Sequence, residues 1–179
     1  MTLGRRRVEH FLLPLALGVS DGILNALTLA SASVVEGSGL RISVIARVAV
    51  AALVTAVFTV FVAEYAQYRS DLARAEHELN FTRSGRLAAT SLGRAVFLDA
   101  LLAAVIAGSA SFVGAFAPLL IGGIFVRFPW VSIVVSVLAL GALGAVLANV
   151  VHGSRAIWAS ALAIAGIAVT FIGIQLHLV

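Results

Sequence analysis

Five apolar runs, separated by short polar segments, dominate the hydrophobic pattern of the chain. Each run has about the 20 residues that an α-helix needs to cross the hydrocarbon layer of a membrane. The pattern predicts one transmembrane domain over residues 1–179, with helices at 11–33, 42–65, 95–117, 131–151 and 156–176 and a polar segment at 66–94. The third helix is expected to stop at Pro118, before a link rich in Gly, Pro and aromatic residues. The predicted fold class is an all-α, polytopic membrane protein with five transmembrane helices.

The composition supports this fold class, because 61% of the 179 residues are hydrophobic and 11% are charged. Ordinary soluble domains have about 45–50% apolar and about 25% charged residues. All 12 basic residues are arginine, and the net charge is +4. In a membrane protein such a surplus records orientation, so we expect no nucleic-acid partner. The absence of cysteine excludes disulfides and thiolate metal sites.

The distribution of arginine predicts how the helices are oriented. With the N-terminus inside, the cytoplasmic segments hold nine arginines and the outer side at most three. The nine are Arg5, Arg6, Arg7, Arg69, Arg74, Arg83, Arg86, Arg94 and Arg155. Because positive charge is retained on the cytoplasmic side, we expect the N-terminus inside and the C-terminus outside. The expected location is an integral position in the lipid bilayer, in the cell (inner) membrane if the source is prokaryotic.

An acid and an amide interrupt the first apolar run near its middle. Asp21 and Asn25 are four residues apart, which places them on one face of a helix. A carboxylate at this depth costs about 2.5–3.5 kcal/mol on insertion scales, so it is a candidate functional group by default. A row of small residues at four-residue spacing, which lets another helix approach closely, runs through the same segment: Gly18, Gly22, Ala26 and Ala30. We expect the polar pair to face the interior of a helix bundle, on an ion pathway.

Further oxygen ligands lie where the second helix meets the polar segment. If that helix continues, Glu64 and Asp71 are two turns apart on one face. Glu76, His77 and Glu78 follow, and Asp99 lies in the third helix. Carboxylates with an occasional imidazole suit Mg²⁺, Mn²⁺ or Fe²⁺. The alternative is a solvated helix face, since interleaved Arg and Glu residues are typical of one. No catalytic constellation or tightly bound cofactor is indicated, so we expect no enzyme.

Several short sequences, in order along the chain, resemble the vacuolar iron transporter family. Residues 18–23 (GVSDGI) are similar to the Asp-Gly signature of that family's first helix, and 63–65 (AEY) to the Gly-Glu-Tyr sequence at the end of its second. Residues 111–120, which include SFVGA and PLL, are similar to the end of its third helix. The resemblance implies a homodimer that exports Fe²⁺ or Mn²⁺ from the cytosol in exchange for protons. It also implies that Asp21 alternates between cation and proton, and that Glu64 lies at the cytosolic mouth.

The same alignment shows two departures, which leave a second function open. The family commonly has an acid early in its second helix and a Met two turns later, where this chain has Ala52 and Val60. Many members also have a long, carboxylate-rich helical insertion before the third helix, and here 66–94 is short. The carboxylates that this chain does have remain the predicted metal ligands: Asp21, Glu64, Asp71, Glu76 and Glu78. The predicted pathway residues are Asp21, Asn25 and Glu64.

The alternative function is a non-transporting scaffold or subunit of a larger membrane complex. In that case Asp21 would pair with Arg47 or stay protonated beside Asn25. In the transporter, by contrast, a two-fold axis would bring each first helix against its twin, so that Asp21 faces Asp21.

Overall fold

Five long helices form the whole of the described structure, which is a computed structural model covering residues 3–36, 40–78, 91–125, 128 and 130–175. They are α1 (Leu3–Glu36), α2 (Ile42–Glu78), α3 (Ser91–Ile124), α4 (Trp130–Val150) and α5 (Arg155–Gln175). Each contains a segment long and apolar enough to cross a membrane. The prediction of an all-α polytopic membrane protein is thus confirmed at the level of helix class and number in the described residues.

Three of the helices, α1, α2 and α3, are much longer than the hydrocarbon layer. α2 has 37 residues, or about 55 Å at 1.5 Å per residue, against a hydrocarbon thickness of about 30 Å. The prediction that the second helix ends near 65 is therefore wrong, because the first part of the polar segment, residues 66–78, continues it as far as Glu78. α3 likewise begins four residues before the predicted start at 95, at Ser91.

Pro118 does not end α3, which continues to Ile124. Proline lacks the N–H that would donate to the carbonyl of Gly114, but packing against neighbouring helices can keep such a segment helical in an apolar bundle. The Ser132 hydroxyl on α4 donates to the Pro118 carbonyl at 3.1 Å, and the following residue, Leu119, is fully buried. Burial of the segment after the proline therefore outweighs the local break that the sequence indicated.

α1 is the central helix of the bundle. It packs against α3 along most of its length and also contacts α2, α4 and α5. Its buried residues Ile23, Leu27 and Ala30 form a core cluster with residues from α2, α3 and α4. The outer faces are strongly apolar, as at Phe58 (69% exposed) and Leu138 (67% exposed). This inverted surface is what a protein solvated by lipid tails requires.

Candidate functional site

The first part of the site is a very close crossing of α1 and α3. A Cβ atom at Gly18 would lie 2.9 Å from the Cα of Ala107, and one at Gly22 would lie 2.8 Å from the main-chain nitrogen of Ala115. From the other side, a Cβ at Gly114 would lie 2.7 Å from the Val19 carbonyl oxygen. The two backbones thus touch where glycine removes the side chain, as the small-residue row predicted.

This crossing brings a buried hydroxyl to the Asp21 carboxylate. The Ser111 Oγ on α3 donates to Asp21 Oδ2 at 2.9 Å, and Ser111 is fully buried. A hydrogen bond to a charged acceptor is stronger than one between neutral groups. One carboxylate oxygen is therefore fixed from behind by α3.

The front of the carboxylate faces two adjoining cavities between α1 and α2, which we call the Asp21 groove. The smaller cavity, about 190 Å³, is lined by Leu17, Gly18, Asp21, Thr55, Ala56, Thr59 and Val60. The larger, about 380 Å³, is lined by Asp21, Asn25, Thr28, Leu29, Ala32, Val48, Ala51, Ala52 and Thr55. Both share Asp21 and Thr55. The groove exists because α3 packs against both helices while α1 and α2 contact each other only sparsely.

The polar side chains of the Asp21 groove present acceptor oxygens. The Asn25 amide nitrogen donates to the Asp21 main-chain carbonyl at 3.0 Å. The Thr28 hydroxyl donates to the main-chain carbonyl of Asn25 at 2.8 Å, and the Thr55 hydroxyl to the main-chain carbonyl of Ala51 at 2.9 Å. Because these donors are used within the helices, the side-chain oxygens keep lone pairs for another partner. The groove therefore suits a cation or a proton better than an anion.

The side-chain oxygen atoms of the Asp21 groove are all hard ligands for a metal ion. The chain has no cysteine, and its one methionine is Met1, so no sulfur atom lies among the described residues. Hard oxygens select Mg²⁺, Ca²⁺, Mn²⁺ and related ions over soft ones. Within the described side chains no three His, Asp or Glu residues come together as a metal-binding group. One copy of the groove thus offers one carboxylate with neutral oxygens.

The other predicted ligands lie away from Asp21, on the polar extension of α2. Glu64, one turn after Val60, is half-buried and hydrogen-bonded to Tyr68. Asp71 and Asp99 are exposed, and both act electrostatically on the same tyrosine. The side chains of Glu76 and Glu78 lie outside the described residues. Metal binding by Glu64, Asp71, Glu76 and Glu78 remains a prediction.

Among the described residues, Asp21 forms neither of the pairings that the scaffold alternative expected. In the described part of the chain its carboxylate bonds to Ser111, whereas the Asn25 amide bonds to the main chain. Arg47 is exposed on α2. Ala52 and Val60, where the resemblance leads one to expect ligands, do line the groove. Neither side chain offers a ligand atom.

Sequence reasoning missed three hydroxyl residues of the site. In the sequence Ser111 stands out only as the first residue of the SFVGA motif, and neither Thr55 nor Thr59 belongs to a motif. A usable signal existed for the threonines, because two hydroxyls four residues apart in an apolar run share one helix face. No comparable signal linked Ser111 to Asp21, 90 residues away. Comparison with family models, curated proteins and solved structures gives no match.

Proposed function

We propose that this chain is a membrane transporter that exchanges a divalent cation for protons at Asp21. The observation that carries the proposal is the Asp21 groove: a carboxylate near the middle of an apolar span, fixed by Ser111 and open to a cavity with oxygen acceptors. Ionisable groups at such positions are typical of ion and proton pathways. A carboxylate can hold either a cation or a proton, which is the alternation that an antiporter needs.

The substrate class follows from the donors and from the resemblance. Fe²⁺ and Mn²⁺ are the ions that the vacuolar iron transporter resemblance implies, and the all-oxygen groove suits both of them better than a soft ion such as Cu⁺. Export from the cytosol is the proposed direction. Glu64, one turn beyond the groove lining at Val60, would attract cations at the cytosolic mouth.

A second copy of the chain would complete the site. The Asp21 groove opens at the surface of the helix bundle, on the face formed by α1 and α2, where Leu17 is 51% exposed. A two-fold axis beside this face would bring two grooves together, since such an interface repeats the same surface on both subunits. Two Asp21 carboxylates would then neutralise one divalent ion. The proposed unit is therefore a homodimer.

The test is uptake of Mn²⁺ and Fe²⁺ into proteoliposomes under an imposed pH gradient. Wild type should show gradient-dependent flux, and Asp21→Asn should reduce it at least about tenfold, because the amide has no charge to exchange. Asp99→Asn is the matched control, since it removes an exposed carboxylate outside the groove. Flux that survives Asp21→Asn, or falls equally in both variants, would show that the proposed site is wrong.

A scaffold that keeps the fold without transport is the second candidate. It is favoured by Ala52 and Val60, which face the groove without offering a ligand. A correctly folded wild type with no flux of either ion would support it, as would stable purification within a larger membrane complex. The Asp21 groove would then be a gap in the packing of α1 against α2 and would not conduct ions.

A further inference from the structure

A second groove, which is apolar where the Asp21 groove is partly polar, lies between α2 and α3. It has a volume of about 400 Å³, and only apolar side chains line it: Leu53, Val54, Val57, Phe58, Phe61, Phe97 and Leu101. We call it the α2–α3 groove. On each helix the lining residues repeat at three- and four-residue spacing, so the groove follows one continuous face.

Three aromatic rings close one end of the α2–α3 groove. Phe61 and Tyr65 stack with centroids 5.7 Å apart, and Phe97 meets them edge-on at 5.5 and 6.1 Å. From Ile42 to Tyr65 α2 rises about 35 Å at 1.5 Å per residue, which is about the hydrocarbon thickness. Aromatic side chains of this kind are enriched at the membrane–water interface. The cluster thus marks the level at which lipid tails give way to headgroups.

Arginine continues both helix faces beyond the aromatic cluster. Arg69 follows Tyr65 by four residues on α2, and Arg94 precedes Phe97 by three on α3. Both side chains are exposed. Each is therefore one helical turn beyond the rings, at headgroup level and next to the ring of its own helix. An apolar slot that ends in rings and then in two guanidinium groups matches the order of chemistry in an anionic phospholipid.

We propose that the α2–α3 groove binds one anionic glycerophospholipid, with an acyl chain along the apolar lining and the phosphate at Arg69 and Arg94. Arginine matches phosphate with a planar, bidentate set of donors. The Tyr65 hydroxyl adds a neutral polar group at the same level. The proposal is independent of ion transport, because it uses no residue of the Asp21 groove.

Three carboxylates near this end oppose an anionic headgroup. Glu64, Asp71 and Asp99 all act on the Tyr68 hydroxyl, and Glu64 shares a hydrogen bond with it. Lipid binding should consequently be sensitive to charge in both directions. Removing an arginine should weaken it, and neutralising the exposed Asp71 should strengthen it.

Native mass spectrometry of the purified, delipidated chain tests this proposal. It would be titrated with phosphatidylglycerol and phosphatidylcholine that carry identical acyl chains. Wild type should bind one phosphatidylglycerol preferentially, and Arg69→Gln and Arg94→Gln should each weaken that binding about five-fold. Asp71→Asn should raise it. Leu101→Trp, which fills the groove, should reduce binding of both lipids.

Two matched controls separate this site from general lipid attraction. Arg155→Gln removes an exposed arginine on α5, and Leu138→Trp enlarges an exposed apolar residue on α4. Neither should change phosphatidylglycerol binding. Equal binding of the two lipids by wild type, an equal loss with Arg155→Gln, or full binding by Leu101→Trp would each overturn the proposal. Thermal unfolding of every variant in the same detergent would exclude loss of fold as the cause.

Discussion

The close crossing of α1 and α3 makes a quantitative prediction for Gly22→Ala. The added Cβ would lie 2.8 Å from the Ala115 nitrogen and 2.9 Å from the Ser111 carbonyl carbon. The Ser111 carbonyl oxygen would be nearer still. Ordinary contacts between such atoms are about 3.5–4.0 Å, so α3 has to move away by at least about 1 Å. Since the Ser111–Asp21 hydrogen bond is already 2.9 Å long, the same movement would lengthen it beyond the range of a good hydrogen bond.

The expected change in the free energy of unfolding combines three contributions. Overpacking costs about 1–3 kcal/mol, and loss of a hydrogen bond that leaves the buried Ser111 hydroxyl without a partner costs about 1–3 kcal/mol. These two overlap, because the helix movement that relieves the first causes the second. The better helix propensity of alanine returns up to about 1 kcal/mol. We therefore expect Gly22→Ala to destabilise the protein by about 1–3 kcal/mol.

Gly141→Ala provides the control, because the nearest atom to its added Cβ is 3.7 Å away. This variant should be neutral or more stable by up to about 1 kcal/mol. Both can be measured by denaturant unfolding in detergent, followed by tryptophan fluorescence. Equal stability of the two variants would refute the argument that glycine at position 22 is required by backbone contact between the helices.

Two other substitutions test separate features. Ser111→Ala should leave the fold intact but alter the pH dependence of Mn²⁺ flux more than its maximal rate, because it removes the hydrogen bond to Asp21 Oδ2 while sparing the carboxylate; an unchanged pH profile would show that the serine is only a packing residue. His152→Gly should raise the free energy of unfolding by about 1 kcal/mol, because His152 has a φ of 55° just after α4. Gly153→Ala is its contrast, since a Cβ there would lie 2.9 Å from Trp158 Cδ1 and should destabilise the protein.

The sequence predicted the helices better than their ends. Five apolar runs are sufficient to indicate five long helices, because a membrane span is a property of length and hydropathy alone. The ends depend on tertiary contacts. Pro118 indicated a stop, but α3 continues past it because the next residue, Leu119, is fully buried in the bundle. Likewise, the charged residues after Tyr65 indicated a polar segment, yet they continue α2 in helical form.

The candidate site, like the helix ends, could be predicted only in part, because tertiary contacts again decide the rest. Periodicity shows which residues share a face, so Asp21, Asn25 and the small-residue row could be placed on α1. Periodicity does not show which helix meets that face. The row was expected to be where α1 meets another helix, and in the described structure that helix is α3, which also supplies Ser111. Whether a second copy of α1 lies on the opposite, groove side remains a prediction.

The distance in sequence between Asp21 and Ser111 has a consequence for biosynthesis. α1 is made first, and the hydroxyl that bonds its carboxylate is 90 residues further along the chain. At about 5–20 residues per second, α1 waits for roughly 5–20 s before α3 exists. During that interval Asp21 and the glycine face have neither of their native contacts with α3. The nascent first helix should therefore depend on the insertion machinery, or on delayed entry into the lipid, until α3 emerges to dock against it.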